Sequence, residues 1–172
     1  MQGAKESERV NGGDQKSKNF LKPSLINMQK KTKLDKQDHK FLVLCAADCA
    51  EHVLPYFEKE YPKDDRPRKA IEAGRAWARE KITTGEARTA ALAAHAAARE
   101  TDNIAARAAA RSAGHAAATC HVADHAPHAA NYALAAVEAD ERRRGSTERS
   151  NVKCQKECEW QYRHLPEHLR PH

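Results

Sequence analysis

Between Glu86 and Ala130 nearly half of the residues are alanine, and this stretch constrains the fold more than any other feature of the chain. Alanine is the strongest helix former, and its single methyl group lets neighbouring helices approach closely. The larger groups set into this background, His95, Arg107, Arg111, His115, His121, His125 and His128, therefore carry the chemistry. No segment shows the β-branched alternation of a strand. The expected class is all-α: a single compact array of about six helices joined by short links, with close alanine-mediated packing.

Capping residues set the expected boundaries. Asp35 followed by Asp38 begins a first helix that Pro55 kinks or restarts before Tyr61-Pro62 ends it. Asp65 is expected to cap a second helix, with Pro67 tolerated in its first turn and Ile71, Gly74, Trp77 and Ala78 on one face. Thr83 and Glu86 have capping-box spacing and start a third helix that runs to about Glu100. Asp102 is expected to open a fourth that ends near His121, Asp124 to cap a fifth reaching about Glu141, and a sixth to span roughly Glu148 to His164. In the fourth helix Ala105, Ala109, Ser112, Ala116 and Cys120 form a small side suited to a close neighbour, while Arg111 and His115 lie on another.

The chain has 172 residues and a net charge of +6. Residues 1–33 read as a disordered basic tail and 34–172 as the helical domain, since Lys16 to Lys40 holds eight lysines against two aspartates. That basic run reads first as a solvated segment; no nucleic-acid-binding module accompanies it, and no nucleic-acid partner is expected. No apolar run is long enough to cross a membrane, and no apolar core marks a secretory signal near the start. Five cysteines, with Cys45/Cys49 and Cys154/Cys158 each four apart on expected helices, favour reduced thiols and a cytoplasmic location. Phosphate loop, dinucleotide turn and nucleophile-elbow motifs are all missing from the sequence.

The candidate binding residues are Asp48, His52, Asp65, Arg66, Arg68, Arg75, His95, Arg111, His115, His121 and Asp124. Charge alternation around Pro67 suggests that Arg66, Arg68 and Arg75 pair with carboxylates of the first helix, Asp48 or Glu51 among them. His95, His115 and His121 are expected to meet at one junction of the alanine-rich helices, each satisfied by a neighbouring polar group. His121, His125 and His128 would stack on an unbroken helix in the manner of metal ligands. Asp124 reads better as a cap that interrupts the stripe, so no metal and no cofactor is expected.

Asp48-Cys49-Ala50-Glu51-His52-Val53-Leu54-Pro55, the Asp65-Arg66-Pro67-Arg68 segment running on to Trp77, Ala94-His95-Ala96-Ala97-Ala98-Arg99, and Ala113-Gly114-His115-Ala116 with Thr119-Cys120-His121-Val122 resemble the immunity protein 5-like family of bacterial polymorphic-toxin systems. The resemblance covers about Leu34 to Val137, with a weaker match at Glu157-Cys158-Glu159-Trp160-Gln161 and Leu165-Pro166. It implies a helical protein that neutralises a cognate toxin by binding it and has no reaction or cofactor of its own. A net charge of +6 suits an acidic toxin surface or a target that is not a nuclease. Two other readings stay open: an enzyme using His95, His115, His121 and Asp124 with or without a metal, and a basic protein associated with nucleic acid through its lysine-rich segment.

Overall fold

The computed structural model describes residues 34–145 and 147–170. Helices α1 (Lys36–Val53), α2 (Pro55–Glu58), α3 (Arg66–Ala78), α4 (Thr84–Arg99), α5 (Ile104–Ala118), α6 (His125–Arg143) and α7 (Thr147–His164) are followed by a 3₁₀ turn at Glu167–Leu169. No strand occurs among the described residues, and α1 and α2 are the two halves of the helix interrupted at Pro55. The expected basic tail over 1–33, and Ser146 of the expected Gly145-Ser146 turn, lie outside the described residues.

Helix α5 is the axis of the packing. It lies against α6, α4, α3, α1 and α2, and ten of its fifteen residues are buried, nearly all of them Ala or Gly. The expected small side is buried throughout: Ala105, Ala109, Ser112, Ala116 and Cys120. Methyl-sized contacts bring backbones close enough for side chain to meet main chain, and the Ser112 hydroxyl donates to the Ala129 carbonyl of α6 at 2.8 Å. Bulk comes from elsewhere: Leu42, Val53, Leu54 and Phe57 of α1 and α2 and Ile71 of α3 are almost fully buried. Val43, Ala87 and Cys120 form a satellite cluster under Trp77, whose indole N–H donates to Thr84 Oγ1 at 2.9 Å.

Local sequence explains two helix starts. Asp35 accepts from the Asp38 amide at 2.8 Å. Thr83 Oγ1 accepts from the Glu86 amide at 3.2 Å while the Glu86 carboxylate accepts from the Thr83 amide at 2.7 Å, a reciprocal capping box. Thr83→Ala should lower stability by about 1 kcal/mol, read as a shift of the urea midpoint with unchanged slope.

Three expected caps need correction. Asp65 occupies the position before α3, but its side chain makes no cap bond; Asp64 Oδ1 takes the Arg66 amide at 3.1 Å, and Asp65 pairs with Lys69 at 2.9 Å instead. Asn103, not Asp102, caps α5, its side chain accepting from the Ala106 amide at 3.0 Å. Asp124 precedes α6 in helical backbone geometry, which turns its carboxylate away from the orphan amides, and it forms no cap bond. At the other end of α3, Glu80 takes a left-handed φ of 58°, and the amides of Glu80 and Lys81 donate to Trp77 and Ala76 at 2.8 and 2.9 Å. This is a Schellman ending built on a glutamate, where glycine is the usual occupant.

Helix α7 lays Cys154 and Trp160 against the core and adds a set of buried polar contacts. Buried Glu141 meets Lys153, and buried Glu157 meets His52 Nδ1 at 2.6 Å. Gln161 Nε2 donates to the Ala130 carbonyl at 3.2 Å and to Glu157 at 2.9 Å. Leu165 and Leu169 then close the core beyond its C-terminus.

Candidate functional site: a histidine face on three helices

Helices α4, α5 and α6 each turn one chemically distinct stripe outward. On α4, Leu92, His95 and Arg99 follow at helical spacing; on α5, Arg111 and His115 lie four apart; on α6, His125, His128 and Tyr132 do the same. Close packing of the alanine faces behind them draws the stripes together. His115 sits at the centre, its ring 4.9 Å from His95, 5.3 Å from His125 and 5.3 Å from His128. Tyr132 stacks on His115 with 11° between the planes.

The fit depends on Gly114. A β-carbon there would lie 2.6 Å from two atoms of the His95 ring and 2.9 Å from a third, so the imidazole rests directly on the α5 backbone. That position leaves His95 Nδ1 buried without a hydrogen-bond partner. His115 Nδ1 and His125 Nδ1 are 3.2 Å apart, a bond in which one nitrogen donates while the other keeps its lone pair. Protonating both rings would place two donors face to face.

No carboxylate bonds to these imidazoles among the described residues, and their neighbours are cationic. Burial, followed by His95, His125, His128 and Arg111, pushes His115 down to about 3. Burial with Arg111 and Arg99 lowers His95, and burial with His128 and His121 lowers His125, against a weaker pull from Asp124. His125 also lies in the first turn of α6, where the positive end of the helix dipole disfavours a charged ring. His95, His115 and His125 are therefore held neutral at physiological pH. No group of three or more His, Cys, Asp or Glu side chains among the described residues is arranged to hold a metal ion.

The structure splits the expected site residues into separate groups. His95, Arg111 and His115 belong to the histidine face, whereas exposed His121 shares no ring contact with it and exposed Asp124 acts on His125 through its charge alone. The set His95, His115, His121 and Asp124 is not assembled as one centre. Arg75 bridges Asp48 and Glu51 at 2.6 Å each, as the charge pattern suggested. Arg68 also meets the first helix as expected, in its half beyond Pro55, binding Glu58 of α2 at 2.6 Å, whereas Arg66 does not reach it and binds Asp64 at 2.6 Å and Glu100 at 2.5 Å. His52 lies apart, its ring 4.5 Å from Trp160 and its Nδ1 on Glu157. Sequence reasoning missed His125, His128, Tyr132 and Gly114 as members of the cluster; the spacing of three and four from His125 to Tyr132 was the available signal.

The cysteines are poor nucleophiles. Burial pushes the Cys120 thiol up to about 12 and the Cys45 and Cys158 thiols to about 11, so little thiolate forms at neutral pH. A pocket of about 550 Å³ opens where the start of α5 meets the second half of α6, walled by Ile104, Ala135, Ala139 and Arg142 among others. It lies along the same outward stripe of α6 that carries His128 and Tyr132.

These features define an all-α protein presenting a cationic, histidine-bearing face on a closely packed frame. Residues 32–168 match the family described as Imm-5 like putative immunity protein, and the chain belongs to that family. No curated protein matches it, and no solved structure does. No described helix is long and apolar enough to cross a membrane.

Proposed function

We propose that this protein neutralises a cognate toxin in the cytoplasm by binding it, without turnover of its own. The observation that carries the reading is the family match over residues 32–168. The site chemistry supports it: the thiols are held protonated, and the imidazoles contact one another rather than a carboxylate that would orient a general base. A rigid helical frame with a charged outer face suits recognition, in which complementary charge speeds encounter and a few buried anchors set the lifetime of the complex.

Co-expression with the toxin gene beside its own should restore growth of an otherwise poisoned host, and the purified chain should suppress the toxin at stoichiometric ratio. Folded, abundant protein that fails in both assays would overturn the immunity reading.

A further inference from the structure

From Ala87 to Ala139 the chain carries four arginines and five histidines against four carboxylates, Glu100, Asp102, Asp124 and Glu138, the last of them in the wall of the hollow beside Ile104 and bound by Arg142 at 2.6 Å. Glu100 is engaged by Arg66 at 2.5 Å, and Asp102 is fully exposed, 3.9 Å from Arg107. Arg99 and Arg111 make no ion pair among the described residues, and both lie close enough to lower His95. Ion pairs bind most other arginines of α3 and α6 to neighbouring carboxylates. On the outer face of α4 and α5, Arg99 and Arg111 therefore leave positive charge uncompensated beside the histidines.

That face also has anchor points. Leu92 is 61% exposed and Ile104 69%, unusual for large aliphatic side chains on a helical frame. Ile104 borders the 550 Å³ pocket, and Tyr132 lies between that pocket and the histidines along α6.

We propose that this face, from the imidazoles around His115 to the hollow beside Ile104, is the docking surface, and that it receives an acidic protein surface. This rests on the binding function proposed above and names the chemistry of the partner. Partner carboxylates lie over His115, His125 and His128 and beside Arg111, while an apolar partner side chain enters the hollow. Docking is proton-coupled. A carboxylate placed on a neutral imidazole supplies the counter-charge that the protein itself withholds, so His125, already bonded to His115 at 3.2 Å, takes a proton from solvent as the complex forms. Exposed Asp124 already works in the same direction on His125 through its charge.

The probe is the toxin domain encoded by the neighbouring reading frame, inactivated so that it can be purified. Titration calorimetry at pH 7 in phosphate and in Tris, buffers of very different ionisation heat, gives the protons exchanged. The expected result is uptake of about one proton and affinity that rises from pH 8 to pH 6.5. Arg111→Glu should weaken binding by about tenfold or more, and the milder Arg111→Gln gives the same direction should the reversal fail to fold. Arg79→Glu, at an exposed position just past the end of α3 and outside the face, should leave affinity unchanged. Tight binding with no proton uptake, or with affinity indifferent to both Arg111 variants, overturns this docking surface while leaving the immunity function intact. No binding by folded wild-type protein overturns that function, and the docking surface with it.

Discussion

Gly114→Ala is expected to destabilise the protein by about 2 kcal/mol, although the same exchange in an ordinary helix stabilises it by up to about 1 kcal/mol. The added methyl would lie within 2.6 Å of the His95 ring, whose two torsions give it no easy retreat between α4 and α5. Either the ring leaves its site or the helices separate. The second change separates steric cost from helix propensity. In a His95→Ala background the ring is gone, so Gly114→Ala should become neutral or stabilising in urea melts. Destabilisation that persists in the double variant would mean that the backbone at Gly114, not its contact with His95, is what the substitution disturbs.

Acid should loosen the junction of α4, α5 and α6 before it affects the rest of the fold. His95, His115 and His125 all bind protons less readily when folded, for the local reasons given above. The unfolded chain, with imidazoles near 6.5, therefore holds more protons than the native state. Their contribution is complete above about pH 6.5 and falls progressively as pH drops toward the folded value of about 3 for His115. The rings are only partly buried, and water screens them, so the loss between pH 7 and pH 5 should be about 2 kcal/mol. The charges facing the cluster are Arg99 on α4, Arg111 on α5, His121 and Asp124 in the preceding turn, and His128 on α6. Denaturant midpoints measured across this range test the expectation, and His115→Gln should flatten the profile. The carboxylates held low by Arg66 and Arg75, Asp64 and Glu51, fail only at more acidic pH, so the two processes separate on the pH axis.

The helical class and several boundaries were legible because they rest on neighbours in sequence. A capping box needs only Thr83 and Glu86, and the break at Pro55 needs only the proline. The end of α3 was hidden because Glu80 adopts the conformation that sequence reading reserves for glycine, and it does so while its carboxylate binds Lys36 and Lys40 at 2.8 and 2.9 Å. The start of α5 was displaced by one residue because Asp102 and Asn103 are both competent caps, and only one backbone geometry places its side chain over the open amides.

The candidate site was legible in part. That Arg111 and His115 share a side of α5 follows from periodicity. That His125 and His128, rather than His121, complete the cluster depends on how α6 is rotated against α5. Two alanine-rich surfaces offer nearly identical ridges at every register, so pattern alone does not choose among them. Single polar contacts such as Ser112 with the Ala129 carbonyl help to fix that choice, and they emerge only in three dimensions. The arginine pairs show the same limit: Arg75 and Arg68 find Asp48, Glu51 and Glu58 on the two halves of the first helix, whereas Arg66 turns to Asp64 and to Glu100 at the end of α4.

The methyl-lined seams around α5 also govern how a lineage of such chains can change. At Ala106, Ala109, Ala113 or Ala117 every side chain larger than a methyl meets another helix, and forcing one in costs about 1–3 kcal/mol, so these positions have little room to drift. Outward positions such as Leu92 and Arg99 are exposed and can be exchanged at small cost to the fold. Mutation is thereby steered onto the surface that meets other molecules. A frame that refuses internal variation leaves recognition as the trait free to diverge, so sister chains could acquire new partners while keeping the same skeleton.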